Sequence, residues 1–172
     1  NSKRKYKPYE VYDCTKADGA DTNVVITSLF GAVKGFIHGT DTQPGVLKRN
    51  NEGTVFLDEL HHLPLDVQKM LLRVLQNKEI TPLGGVPEKI DVRIIAGTNQ
   101  DINRLVSEEK FHSDLYSRLC RDIINVPTLA QRGKDEIIII AKSFLQKYCE
   151  RNSITHKGFS MEAINKLSEY TY

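Results

Sequence analysis

An α/β domain in three layers, followed by the start of a helical subdomain, is the architecture this sequence predicts. Two observations predict it. Up to about residue 127, short runs of β-branched and aromatic residues alternate with segments of helical period, as a sheet covered by helices requires. From Gly133 onward only the helical period remains, which puts a linker near 127–133. The length of 172 residues suits one sizeable domain, or one domain and a small appendage.

The elements follow in order. "YEVYD" (Tyr9 to Asp13) alternates as a strand does. "TSLFGAVKG" (27–35) reads as helical until the Gly-rich "GFIHGTDTQPG" interrupts it. Thr54 to Leu57 form a short apolar strand after Gly53. In "LPLDVQKMLLRVLQ", Val67, Met70, Leu71, Val74 and Leu75 recur at helical spacing, so an amphipathic helix starts near Pro64. "EITPLGGVPEKIDVRIIAG" gives a short strand, a Gly-Gly turn and a central strand containing Val92, Ile94 and Ile95. Helices are expected from about Gln100 and over "SDLYSRLC", and a further strand over "DIINVP". "KDEIIIIAKSFLQKYCERN" and "SMEAINKLSEY" are both helical.

Composition narrows the class. Hydrophobic residues make up 40% and charged residues 27%, as in soluble globular chains. A net charge of +2 argues for neither nucleic acid nor a membrane surface as partner, and "NSKRKYKP" reads as a solvated basic end. Cys14, Cys120 and Cys149 lack C-x-x-C spacing, so neither a disulfide framework nor a zinc site is expected and a reducing compartment is. The longest apolar run, 137–141, is too short to span a bilayer, and no signal peptide is visible. The first residue is Asn, compatible with a fragment.

Chemistry concentrates where the strand 54–57 ends in Asp58 and Glu59. A strand-end aspartate can hold Mg²⁺ through water, and the neighbouring glutamate can polarise a water for attack on a phosphoryl group. An arbitrary Asp-Glu pair can equally cap the following turn. A transition-metal site with His61 and His62 is a third reading, although adjacent histidines diverge and the i, i+4 pairing of zinc hydrolases is absent. At the end of the next central strand, Asn99 can orient the same water or sense a γ-phosphate, while Thr98-Asn99 is also an ordinary helix cap.

Taken together, "LFGAVKG" with its Gly-rich loop, "GTVFLDEL", "PLDVQKMLLRVLQ", "DVRIIAGTNQDI" and "FHSDLYSRL" stand in an order and spacing that resemble one family over Tyr9 to Tyr172. It is the central ATPase domain of bacterial sigma-54-dependent transcription activators, members of the AAA+ group. The resemblance implies a P-loop NTPase-like core over 1–130 and the start of a helical lid over 131–172. It assigns Asp58 to Mg²⁺ through water, Glu59 to water activation, and Thr98 and Asn99 to the first sensor. It also matches Arg118 to an arginine that reaches a neighbouring subunit's site in a ring. ATP and Mg²⁺ are the implied cofactors. Sigma-54 RNA polymerase is the implied partner, DNA contact comes through a domain outside this chain, and the location is the bacterial cytoplasm, with no membrane contact.

The departures are as specific as the matches. No G-x-x-x-x-G-K-[ST] loop is present, so the core reads as lacking the amide cradle for phosphate, and the chain ends where the second sensor would follow. Gly35, Phe36, Ile37, His38, Gly39 and Thr40 align with the family's sigma-54 contact loop, with the aromatic one place early and His38 in place of a threonine. His112 replaces a first trans-acting arginine, and its imidazole cannot make the same bidentate phosphate contact. Asp13 replaces an asparagine that restrains the catalytic glutamate, and two ionised carboxylates there would repel. A working ATPase and a non-hydrolysing AAA+-like assembly or partner-binding module both remain open at this point.

Overall fold

The computed structural model describes residues 2–36, 42–155 and 158–170 and divides into two compact units, 1–122 and 123–172. In the first, strand β1 (Tyr9–Asp13) runs through a 3-10 turn into helix α1 (Thr22–Phe30). The Asp21 carboxylate starts α1 by accepting the Asn23 N–H at 2.7 Å. Gly31 ends it: with φ at 93°, a Cβ there would lie 2.6 Å from the Gln43 carbonyl oxygen. The helix expected over 27–35 is therefore shifted toward the N-terminus, because residues 31–32 are drawn off as a strand.

That strand, β2 (Gly31–Ala32), pairs antiparallel with β3 (Gln43–Pro44), and helix α2 (Val46–Arg49) follows. Next come β4 (Thr54–Asp58), α3 (Leu65–Asn77) and a small antiparallel pair, β5 (Glu79–Ile80) with β6 (Glu88–Lys89). Strand β7 (Arg93–Ala96) and helices α4 (Ile102–Ser107) and α5 (Ser113–Leu119) complete the unit.

Strands β1, β4 and β7 form one parallel sheet with β4 in the middle. Register sets Asp13 beside Asp58 and Leu57 beside Ala96, so the three carboxyl ends lie along one edge. In β4 the pleat buries Val55 and Leu57 completely. They join one apolar cluster with Leu29 and Phe30 of α1 and Val67, Leu71 and Val74 of α3. The expected α/β class with a parallel sheet is the one observed.

Two local expectations fail. Residues 122–127 form no strand; Ile123, Ile124 and Val126 are exposed, and no described strand pairs with them, so their β propensity goes unused. The basic N-terminal stretch is not simply solvated. The Arg4 guanidinium donates to the carbonyls of Gly53 and Asp91 and pairs with the Asp91 carboxylate at 2.7 Å, and Lys7 pairs with Glu52.

The second unit is helical: α6 (Leu129–Arg132), α7 (Lys134–Asn152) and α8 (Met161–Glu169). Thr128 and Gln131 cap α6 reciprocally, and the Ser160 hydroxyl accepts the Ala163 N–H at the start of α8. No helix among the described residues is long and apolar enough to cross a membrane.

Candidate functional site

The carboxyl edge of the parallel sheet brings the strand-end residues together. Asp58 closes β4 exposed to solvent, its Oδ1 accepting the Glu59 N–H at 3.2 Å. Glu59 then turns the chain in the left-handed region, φ 51° and ψ 49°, which costs a non-glycine residue about 1–3 kcal/mol. The strained step is held from the next strand, where the Leu60 N–H donates to the Gly97 carbonyl at 3.0 Å. Gly97 itself admits no side chain, since a Cβ would lie 2.9 Å from the Phe56 ring and 3.3 Å from the Asp58 carboxylate.

The Glu59 carboxylate is held by the residues that follow β7. Its Oε1 accepts from the Asn99 side-chain amide at 3.1 Å and its Oε2 from the Asn99 backbone N–H at 3.4 Å. The Thr98 hydroxyl accepts the Gln100 N–H at 3.1 Å and lies 3.0 Å from Nδ1 of His61. The same His61 nitrogen is 3.5 Å from Glu59 Oε2. Burial, with the neighbouring His62 adding to it, pushes the His61 imidazole below its ordinary pKa. The His62 ring lies 4.2 Å away, and its Nδ1 meets the Asp18 carboxylate at 2.7 Å.

Asp13 sits on the same edge, but its carboxylate is engaged locally. Oδ1 accepts the N–H and hydroxyl of Thr15 at 3.0 and 2.6 Å, and these bonds hold its pKa below the usual range. Beneath the edge, burial first and then the charges of Asp13, Asp58 and Glu59 push the Cys14 thiol up to about 12. The thiol is therefore no nucleophile at neutral pH.

Arg118 stands in the last turn of α5, exposed and without a hydrogen bond or ion pair among the described residues. His112 caps the start of the same helix, and its Nε2 is buried without a partner. At the foot of the Gly-rich loop, Gly35 has φ at 83° and the Phe36 ring covers Gly84, where a Cβ would lie 2.4 Å from it. Ile37, His38, Gly39 and Thr40 fall outside the described residues.

Two residues escaped the sequence reading. Gln68 is fully buried in α3; its amide donates to the carbonyls of Leu63 and Lys110, and its Oε1 accepts the His112 N–H at 2.9 Å. Its signal was a polar residue beside Val67 on the apolar stripe. For His61 the sequence suggests only a metal ligand. Among the described residues, no group of three or more His, Cys, Asp or Glu is placed to hold a metal ion, and both histidines have the protein partners given above.

Residues 1–125 match the sigma-54 interaction domain family. The chain is 38% identical over 152 residues to the DNA-binding transcriptional regulator NtrC of Proteus hauseri, covering 87% of this chain and 32% of that protein. It is 40% identical over 150 residues to the nitrogen fixation protein AnfA of Azotobacter vinelandii, covering 86% and 28%. NtrX from Brucella abortus in complex with ATP is similar in structure, with a TM-score of 0.85 at 26% identity over 99% of this chain and 38% of that one. The same protein in complex with ADP gives 0.86 at 26% identity, over 99% and 36%. The chain thus spans about a third of the length of the relatives it matches.

Proposed function

The chain belongs to the sigma-54 interaction domain family, and from that premise we propose that it is the central ATPase domain of a sigma-54-dependent transcription regulator. The observation that carries this reading is the grip of Asn99 on Glu59 beside the exposed Asp58, at the carboxyl edge of a parallel sheet. The donor set fits the cofactor: a solvent-facing carboxylate suits a hydrated Mg²⁺, which keeps most of its waters. Mg²⁺–ATP, when bound, supplies the electrophilic γ-phosphate.

The chain's own groups do the rest. Asp58 would hold the ion through water. Glu59, aimed by Asn99, takes the proton of the attacking water. Thr98 would serve with Asn99 as the first sensor of the γ-phosphate. Arg118, exposed and unpaired among the described residues, is free to reach a neighbouring subunit's site, so hydrolysis depends on ring assembly. Residues 1–130 form the AAA+ core and 131–172 the start of its lid, in the bacterial cytoplasm. The loop from Gly35 through Thr40 contacts sigma-54 RNA polymerase, and DNA is bound by another part of the protein. The ATP and ADP complexes of NtrX support nucleotide as the ligand.

A second reading, a non-hydrolysing assembly module, draws on His112. Its Nε2 is buried and does not reach outward where the family has an arginine.

Mg²⁺-dependent ATP hydrolysis by the full-length protein, measured beside its Glu59→Gln variant, separates the two. The hydrolytic reading expects a loss of about 10²–10⁴-fold in the variant. Background rates in both, with nucleotide still bound, would establish the module instead.

A further inference from the structure

We propose that His61 is a positioning residue that ties the Thr98 hydroxyl to the Glu59 carboxylate, so that the sensing and water-activating groups move as one unit. The inference rests on the hydrolytic reading above and names a residue which that reading does not use.

The geometry is that of a clamp. Nδ1 of His61 lies 3.0 Å from Thr98 Oγ1 and 3.5 Å from Glu59 Oε2, bridging the turn after β4 to the segment after β7. The side chain is only 13% exposed, so water does not compete freely for that nitrogen. The nearby carboxylate favours the tautomer with the proton on Nδ1, which donates to Thr98 Oγ1 and faces Glu59 Oε2 at 3.5 Å as an electrostatic contact rather than a second hydrogen bond. The ring is braced from behind by His62, itself fixed by Asp18, which follows the turn after β1. The line Asp18, His62, His61, Thr98 therefore spans the ends of all three strands.

Glu59 needs such a brace. Its left-handed backbone stores strain, and among the described residues its carboxylate is otherwise held by Asn99 alone. Asn99 fixes the carboxylate from one side. His61 fixes it relative to Thr98, the residue that would register loss of the γ-phosphate. If the imidazole only filled space, a phenyl ring would serve equally well.

Three full-length variants decide this: His61→Phe keeps the bulk, His61→Asn returns a nitrogen near the position of Nδ1, and Glu59→Gln controls for the reaction. The expected result is a kcat for His61→Phe lower by about 10- to 100-fold, as a misplaced reacting group costs. KM for ATP should stay within about twofold, because ground-state binding is untouched. His61→Asn should recover most of the rate. A far-ultraviolet circular dichroism melt accompanies each variant, so a misfolded His61→Phe protein is recognised, and the Asn variant then carries the test on its own rate. Full kcat in His61→Phe, a loss confined to KM, or an Asn variant with none of the rate recovered would each overturn the proposal. A parent protein with no Glu59-dependent hydrolysis would instead remove the functional reading, and the clamp with it.

Discussion

The two units place apolar side chains in opposite ways. In residues 1–122, Leu57, Leu71 and Leu115 are wholly shielded, and the buried cluster runs without a break from β1 to α5. In residues 123–172 only Ile137 and Cys149 are buried among the described hydrophobics, while Ile139, Phe144, Tyr148 and Met161 stand exposed on α7 and α8. Both stretches are rich in apolar residues, so composition does not separate them. Among the described residues, the difference lies in how far each unit's own elements cover its apolar side chains. A sheet edge organised for chemistry therefore rests on the well-buried unit, where the strand ends cannot drift.

Large-to-small substitutions test this contrast most strongly. Leu71→Ala should destabilise the protein by about 2–5 kcal/mol, because a fully enclosed leucine leaves a cavity that its neighbours fill only in part. Phe144→Ala, at 70% exposure, should change stability by no more than about 0.5 kcal/mol. Urea denaturation of both variants reads the difference. Equal costs would break the comparison, by showing that the α7 face is covered in the protein under measurement.

Gln68 sharpens the picture within the buried unit. Gln68→Leu keeps the volume but strips the His112 N–H of its acceptor and the carbonyls of Leu63 and Lys110 of their donor, a loss of about 1–3 kcal/mol. The start of α5 should loosen with it. Amide hydrogen exchange at residues 112–119 should accelerate more than exchange in β4. Unchanged exchange there would mean that packing against α3, rather than the amide, holds α5.

Much of this was legible beforehand because period and position carry it. The β-branched and aromatic run from Thr54 to Leu57 and the stripe from Val67 to Leu75 announce β4 and α3, and two acids at a strand end announce the edge. Other features had no local signal. Ile123, Ile124 and Val126 have strand propensity, yet a strand exists only with a neighbour to pair with, and none of the described strands is one. The left-handed turn at Glu59 follows from the Leu60 to Gly97 hydrogen bond, which joins residues 37 apart in sequence. Gln68 and His61 act through partners about forty residues away, at distances that spacing along one helix or strand does not encode.

Charge supplies the smallest test of the comparison. In β1, partial burial opposes the ionisation of Glu10, yet hydrogen bonds from Asn50 and Arg49 hold its carboxyl below the ordinary pKa. A carboxylate depressed in the folded state binds its proton less readily there than in the unfolded chain. Its contribution is therefore complete above the unfolded pKa and disappears as pH falls through the folded one, below the usual carboxylate range. With the side chain about a third exposed, screening limits the effect to about 1 kcal/mol or less. In the helical unit, Glu162 and Lys166 form an i, i+4 pair open to water on both sides, so Glu162→Gln serves as the surface-charge control. Glu10→Gln should flatten the acid limb of the stability curve, read as the difference in Tm between pH 7 and that limb. Equal flattening by both substitutions would mean that the contribution of Glu10 is general surface charge, and that its bonds to Asn50 and Arg49 add nothing beyond it.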